Sequence, residues 1–237
     1  MDVVYPLGKP GPWGHDAIKY SIRSLCQYAE DENWRVFIIG EKPGFLDYKK
    51  VIHVPFQESR AKEVNIWEKV LAAAKDKRVS DEFFFMNDDY FFLRPFKMEG
   101  FPWYHKGDIR QINLKPQGYD KRALRTADVL SGNGLSTWHF DIHTPNAVFK
   151  EKFVRAYEAF RKHLYKEDGL IINTVVGNFN NETPVFKKDC KLSKRDLGWL
   201  RQNWNKELLF SVFDNAQNAE FKAFMDELYP DKSYFEA

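Results

Sequence analysis

Cysteine is scarce in this 237-residue chain: Cys26 and Cys190 are the only two, and neither stands in a CxxC pair. That excludes a disulfide scaffold and a thiolate zinc site, and leaves two free thiols as the expectation. Long hydrophobic runs are missing too: no apolar stretch approaches the roughly 20 residues that a bilayer span needs. The opening MDVVYPLG enters strand-like sequence at once, with no basic region before a long apolar one, so no secretory leader is expected and the chain reads as cytoplasmic. A surplus of one charge sign is also lacking. The 36 Lys and Arg against 34 Asp and Glu leave a net charge of +2, too little to name nucleic acid as a partner on charge alone. There is no internal repeat and no low-complexity segment. GxSxG and HExxH do not occur, which removes several hydrolase and zinc classes, and GKPGPWGH (8–15) lacks the GxxxxGK[ST] spacing of a P-loop.

Aromatic residues, by contrast, are abundant: 21 Phe, 11 Tyr and 7 Trp, enough both to fill a core and to line a concave site for sugar or base rings. Their distribution is ordered. DVVYPL (2–7) reads as a strand ended by a Gly/Pro cluster, and 16–29 places Ile18, Ile22 and Leu25 at helical spacing. WRVFIIGE (34–41) is a continuous apolar strand of the doubly buried kind, VIHVPF (51–56) another strand, and 60–75 a helix with Val64, Trp67, Val70, Leu71 and Ala74 on one face. EFFFMNDDYFFL (82–93) is the strongest strand signal. This β-α-β-β-α-β order predicts a mostly parallel central sheet with helices on both faces, and ligands at the carboxyl ends of its strands. After Pro95 the texture changes. Residues 96–145 read as irregular, 147–165 as a helix, 170–179 as helix or strand, and 215–229 as a short amphipathic helix. The expected architecture is a single α/β domain with an elaborated C-terminal half.

Asn87, Asp88 and Asp89 interrupt the strongest apolar run. Carboxylates in such a strand are costly to desolvate, and since side chains alternate across a strand the two cannot share a core face. The economical solution ends the strand there and projects both from its carboxyl edge, where hard oxygen ligands suit Mg²⁺ or Mn²⁺ completed by substrate phosphates. A helix cap, or buried ion pairs with a neighbour such as Arg94, is the alternative.

FMNDDYFF resembles the aspartate motif of GT-A-fold nucleotide-sugar glycosyltransferases, in which such a motif ends a central strand and binds a metal-diphosphate. More narrowly it resembles the Stealth family of sugar-phosphate transferases. DVVYPLG resembles that family's opening block, and IHTPNAVFKEKF (142–153) its His-x-Pro block, although Asn146 stands where a second His or similar residue often follows. The compact length is similar to that of small glycosyltransferase-like proteins of bacteriophages and bacteria. The resemblance covers about a third of the chain in short blocks, and implies a GT-A-like (Rossmann-like) fold. It also implies a nucleotide-diphospho-sugar donor, a UDP-sugar first among them, bound by residues 1–95. Residues 96–237 would then form the acceptor-binding and catalytic half.

Within that frame the candidate metal ligands are Asp88, Asp89 and His143, and the candidate catalytic groups His143, Asp141 and Asp88. His139, Asp141 and His143 in TWHFDIHTP would share one face of an extended segment, with His143 as ligand or general acid/base and Asp141 orienting it or acting as the base. Donor contacts are expected from Pro6, Leu7, Gly8, Lys9 and Asn87. Trp13, Gly11 and Gly14 would border the base or ribose. Arg60, Lys62 and Asn65 lie at a helix start, where backbone donors and the dipole favour phosphate. Arg110, Arg122 and Arg125 are weaker cationic candidates. The acceptor is expected to be a carbohydrate or a nucleic acid, the latter suggested by the basic stretch 110–125 with its Tyr119. Glycosyl transfer and Stealth-type sugar-1-phosphate transfer both remain open, as do a metal-dependent phosphoesterase or nuclease and a carbohydrate-binding domain.

Overall fold

The central strand of the molecule is the first one. In the computed structural model, which describes residues 1–237, β1 (Asp2–Leu7) pairs in parallel with β2 (Val36–Gly40) on one side and β4 (Glu82–Phe85) on the other. β3 (Val51–Val54) extends the sheet beyond β2, and β7 (Asn146–Phe149) closes the opposite edge antiparallel to β4. The order is β3-β2-β1-β4-β7. The three central strands, β1, β2 and β4, are almost wholly apolar because both of their faces are covered. Val4, Phe37, Ile39, Phe83 and Phe85 face a core with α2 (Lys62–Lys75), α4 (Lys150–Leu164) and α5 (Ile172–Phe179). Val3, Tyr5, Ile38 and Phe84 face a second core with α1 (Asp16–Tyr28). Trp67 of α2 is fully buried in the first core, packs 5.4 Å from Phe153, and donates its indole N–H to the Leu170 carbonyl.

Residues 82–93 are not one strand. β4 ends at Phe85, the chain turns through Asn87–Asp89, and β5 (Tyr90–Phe92) joins a different sheet, antiparallel to β10 (Leu209–Val212), which also carries β9 (Lys191–Leu192) in parallel. The apolar run continues across the turn because both strands are buried, so hydropathy alone cannot mark the break. A third core of Phe91, Phe210, Val212, Phe221 and Phe224 seats α7 (Ala219–Leu228) against this small sheet.

The second half departs from expectation in two further places. Residues 147–149, read as the start of a helix, belong to β7, and α4 begins only at Lys150. The stretch read as irregular contains β6 (Trp103–His105), paired with β8 (Pro184–Phe186), and a 15-residue helix, α3 (Gly118–Gly132). α3 buries only Ala123, Thr126, Ala127 and Leu130, a stripe too small and polar to register as amphipathic. α6 (Leu197–Asn203) completes the helices. The ambiguous segment 170–179 is helical from Ile172. No helix is long and apolar enough to cross a membrane.

Candidate active site

Two adjoining cavities open at the carboxyl ends of the parallel strands. One, of about 600 Å³, lies over β1, β2 and β3 and is lined by Leu7, Lys9, Gly40 and the segment Pro55–Glu58. The other, of about 400 Å³, lies over β1 and β4 and gathers Pro6, Gly8, Lys9, Lys62, Asn87, Asp88, Asp89, Asp141 and His143 with Tyr119, Asn173 and Lys191. Lys9, Glu58 and Lys69 line both.

Asp88 and Asp89 sit in the turn after β4, half-buried, and line the second cavity. The two sheets place them there jointly. β4 delivers the chain from the central sheet, and β5 leaves into the small one. Register in the small sheet puts Ser211 opposite both Tyr90 and Lys191. Asp89 therefore receives the Ser211 hydroxyl at 2.9 Å and the Lys191 ammonium at 3.4 Å. Asp88 has no such side-chain partner; burial and then the neighbouring Asp89 charge push its carboxyl up to about 6. Asn87 donates to the Tyr90 hydroxyl at 2.9 Å.

His143 and Asp141 reach the same cavity by another route. The segment 137–144 is irregular: residues 137–139 bond backbone to backbone with 106–109, and two local bonds, Phe140 N–H to the Trp138 carbonyl and Thr144 N–H to that of Ile142, bend the rest. It is not a regular strand, yet its side chains alternate as expected: Phe140, Ile142 and Thr144 are buried, Asp141 and His143 turn to the cavity, and His139 and Asp141 meet the same Tyr119 hydroxyl. His139 is fully buried, with Nε2 only 3.5 Å from the Tyr119 hydroxyl, while Asp141 and His143 face the cavity. Burial and then Lys106 lower His139 to about 4, which makes it a neutral packing residue at neutral pH. α5 holds the segment. The Asn178 amide bonds both the N–H and the carbonyl of Trp138, and Phe140 lies so close to Gly177 that a Cβ there would meet its ring at 2.5 Å.

His143 Nδ1 is 2.9 Å from Asp189 Oδ1, and its Nε2 makes no hydrogen bond. Burial opposes ionisation of Asp189, but the His143 hydrogen bond, the imidazole charge and Lys106 outweigh it and hold the carboxyl well below its usual range. Asp141 accepts from the Tyr119 hydroxyl at 2.5 Å. The structure does not bring His143 together with Asp88 and Asp89 as a three-ligand set; no three His, Cys, Asp or Glu residues are grouped to hold a metal by themselves.

Several expected contacts are used elsewhere. Arg60 lies 3.5 Å from Glu68 and over the Tyr165 ring, outside both cavities. Asn65 is buried and closes back on the N–H and carbonyl of Arg60, so it fixes the entry to α2 and does not face the cavity. Lys62 does line the cavity and forms no ion pair. Arg122 pairs with Glu63 and Asp168, Arg125 with Asp168, and Arg110 with Asp128, so the basic stretch 110–125 spends these arginines internally. Trp13 is tied to Gln217 and the Asn218 carbonyl and lines neither cavity, whereas Gly11 does. Lys69, Lys191, Asp189 and Ser211 were invisible as site residues, because each is recruited by a fold contact rather than by a local motif.

Among solved structures, an active-site mutant of LgtC superposes on this chain with a TM-score of 0.53, covering 98% of this chain and 96% of that one at 12% identity. The fold is GT-A-like. The galactosyltransferase LgtC in complex with donor and acceptor sugar analogues gives a TM-score of 0.50 at 13% identity over the same shares. No protein-family profile and no curated protein matches the chain, so the Stealth resemblance has no support beyond its short blocks. Identities this low carry the fold and not the roles of individual residues.

Proposed function

We propose that the protein transfers a glycosyl group from a nucleotide-diphospho-sugar to an acceptor hydroxyl, with a carbohydrate as the acceptor. The observation that carries this is the convergence, in one cavity at the carboxyl ends of the strands, of Asp88 and Asp89 with the His143–Asp189 pair. The likeness to a galactosyltransferase crystallised with donor and acceptor analogues agrees with it at the level of the fold. The cavity over β1–β3 suits the nucleoside, and residues 1–95 the donor. The far wall, from the later half of the chain, suits the acceptor.

The donor set at Asp88–Asp89 fits Mn²⁺ or Mg²⁺: two adjacent carboxylates, one without a side-chain partner and raised by burial and then by its neighbour's charge, in a cavity that leaves room for phosphate ligands. Such an ion, when bound, neutralises charge developing on the diphosphate leaving group. Lys191 holds Asp89 in place, Ser211 fixes its second contact, and Lys62 adds positive charge at the mouth. Asp189 orients His143 through Nδ1 and leaves Nε2 to take the acceptor proton. His143 is thereby assigned to proton transfer rather than to metal ligation.

The same pair keeps one second reading, sugar-1-phosphate transfer, because a base that activates a hydroxyl serves attack at the β-phosphorus as well as at C1. Product analysis with a UDP-sugar and Mn²⁺ separates them: glycosyl transfer releases nucleoside diphosphate, sugar-phosphate transfer nucleoside monophosphate. Retention of UDP-sugar binding by Asp89→Ala after metal removal would sink the transferase reading altogether.

A further inference from the structure

Lys69 is 1% exposed, and the two cavities meet around its ammonium. Its Nζ donates to the Leu7 carbonyl at 2.7 Å and to Glu58 Oε1 at 2.5 Å. Two glycines make the space. Gly40 has φ +122°, and a Cβ there would stand 2.1 Å from the Leu7 oxygen and 3.1 Å from the Lys69 ammonium; a Cβ at Gly8 would stand 3.3 Å from Glu58 Oε1. A lysine this desolvated requires a partner, and its two partners differ in kind. Leu7 belongs to the central strand, and its carbonyl also accepts from the Glu41 N–H. Glu58 stands on residues 55–61, which form no helix or strand, and its side chain is 36% exposed. An ammonium has three donors, of which the carbonyl and Glu58 use two.

We infer that Glu58 is an internal stand-in for the donor's diphosphate. Its carboxylate occupies the seat on Lys69 that a phosphate oxygen takes when the donor binds, and the exchange releases residues 55–61 and joins the two cavities. The inference rests on the nucleotide-sugar reading above. Lys69 keeps its carbonyl bond throughout and trades one anion for another, so no charge is left buried and unpaired. Glu58 swings into water at small cost because it already touches solvent. The two anions cannot share the seat, since like charges a few ångströms apart repel. Only ion pairs and hydrogen bonds change.

The test is a calorimetric titration of the full chain, wild type and two variants, with two probes: UDP in the presence of Mn²⁺, and inorganic pyrophosphate. Glu58→Gln, at a solvent-touching side chain, removes the competing anion and is expected to tighten both probes by about 5- to 10-fold, the lower range of ordinary coupling between sites. Lys69→Met is expected to weaken both, and a Lys69→Met, Glu58→Gln double variant to bind no better than Lys69→Met alone. In wild type, UDP should raise amide hydrogen exchange over residues 55–61; in Glu58→Gln that exchange should be high before any probe is added. If Glu58→Gln binds UDP with equal or lower affinity than wild type, the stand-in role is overturned while the donor reading survives. If UDP does not bind wild type but pyrophosphate binds and tightens in Glu58→Gln, the anion seat stands and the nucleotide-sugar reading falls. Binding of neither probe overturns both.

Discussion

The two walls of the second cavity are built on different principles. Asp88 and Asp89 come off the end of a parallel strand whose position is set by sheet hydrogen bonds on both sides, so the carboxylates are delivered by regular structure. Asp141 and His143 come from an irregular segment outside the regular strands, held by backbone hydrogen bonds of 137–139 to 106–109, the amide of Asn178, the close approach of Gly177 and the carboxylate of Asp189. The first wall is thus expected to tolerate loss of its functional side chains without loss of shape, whereas the second, paired by backbone only at 137–139, leans on individual side-chain contacts for shape as well as chemistry.

The largest expected effect tests the second wall at its chemistry. His143→Asn should lower kcat by about 10²- to 10⁴-fold, the usual contribution of a positioned acid or base. Asp189→Asn should cost less, and in steady-state kinetics the double variant should fall no further than His143→Asn alone, because Asp189 acts through the imidazole. Additive losses would separate the two residues.

Next comes the first wall. Asp88→Asn or Asp89→Asn should each lower kcat by about 10²- to 10³-fold, the order seen when one group stabilising a developing charge is removed. Thermal unfolding of either variant should shift little, since the strand around them is held by backbone pairing. Treatment of the wild type with a chelator should reproduce the kinetic loss, and added Mn²⁺ or Mg²⁺ should reverse it. A large fall in Tm for Asp88→Asn would erase the contrast drawn between the walls.

Asn178→Ala sharpens the contrast from the other side. It touches neither cavity, yet leaves the Trp138 N–H and carbonyl without their amide partner; loss of such buried hydrogen bonds costs about 1–3 kcal/mol. Denaturant unfolding should report that loss, and kcat should fall with it as the His143 segment loosens.

The smallest effect concerns Glu63, which lines the cavity and is bonded by Arg122 at 2.7 Å. Burial first, and then the Asp141 charge, outweigh Arg122 and push its carboxyl up to about 7 from 4.5. The folded state therefore binds more protons than the unfolded state between those values, and stability falls as pH rises through that window, by about 1–3 kcal/mol. Glu63→Gln should flatten this slope in unfolding midpoints taken from pH 4.5 to 7.5; an unchanged slope would place the proton elsewhere.

Legibility followed the same division. The strands and helices of the first 85 residues could be read from period and apolar runs because each is buried on a face that its own residues declare. The Asp88–Asp89 turn stood out because two carboxylates within an apolar run demand a reason. β5 was missed as a separate strand, since hydropathy is blind to which sheet a buried strand joins. α3 was missed because its buried stripe is mostly Ala and Thr. Arg60 and Asn65 were placed at the donor by their position at a helix start, and the packing turned both away from the cavity.

The sequence by itself determined that a mostly parallel sheet would form and that an acidic turn would end one of its central strands, because alternation and continuous burial are local properties of a chain. Only the tertiary structure decided which groups meet that turn. Ser211 and Lys191 reach Asp89 across 122 and 102 residues, and Asp189 reaches His143 across 46. Strand register and the docking of α5 set those meetings, and register depends on the whole buried face at once rather than on any short stretch of residues.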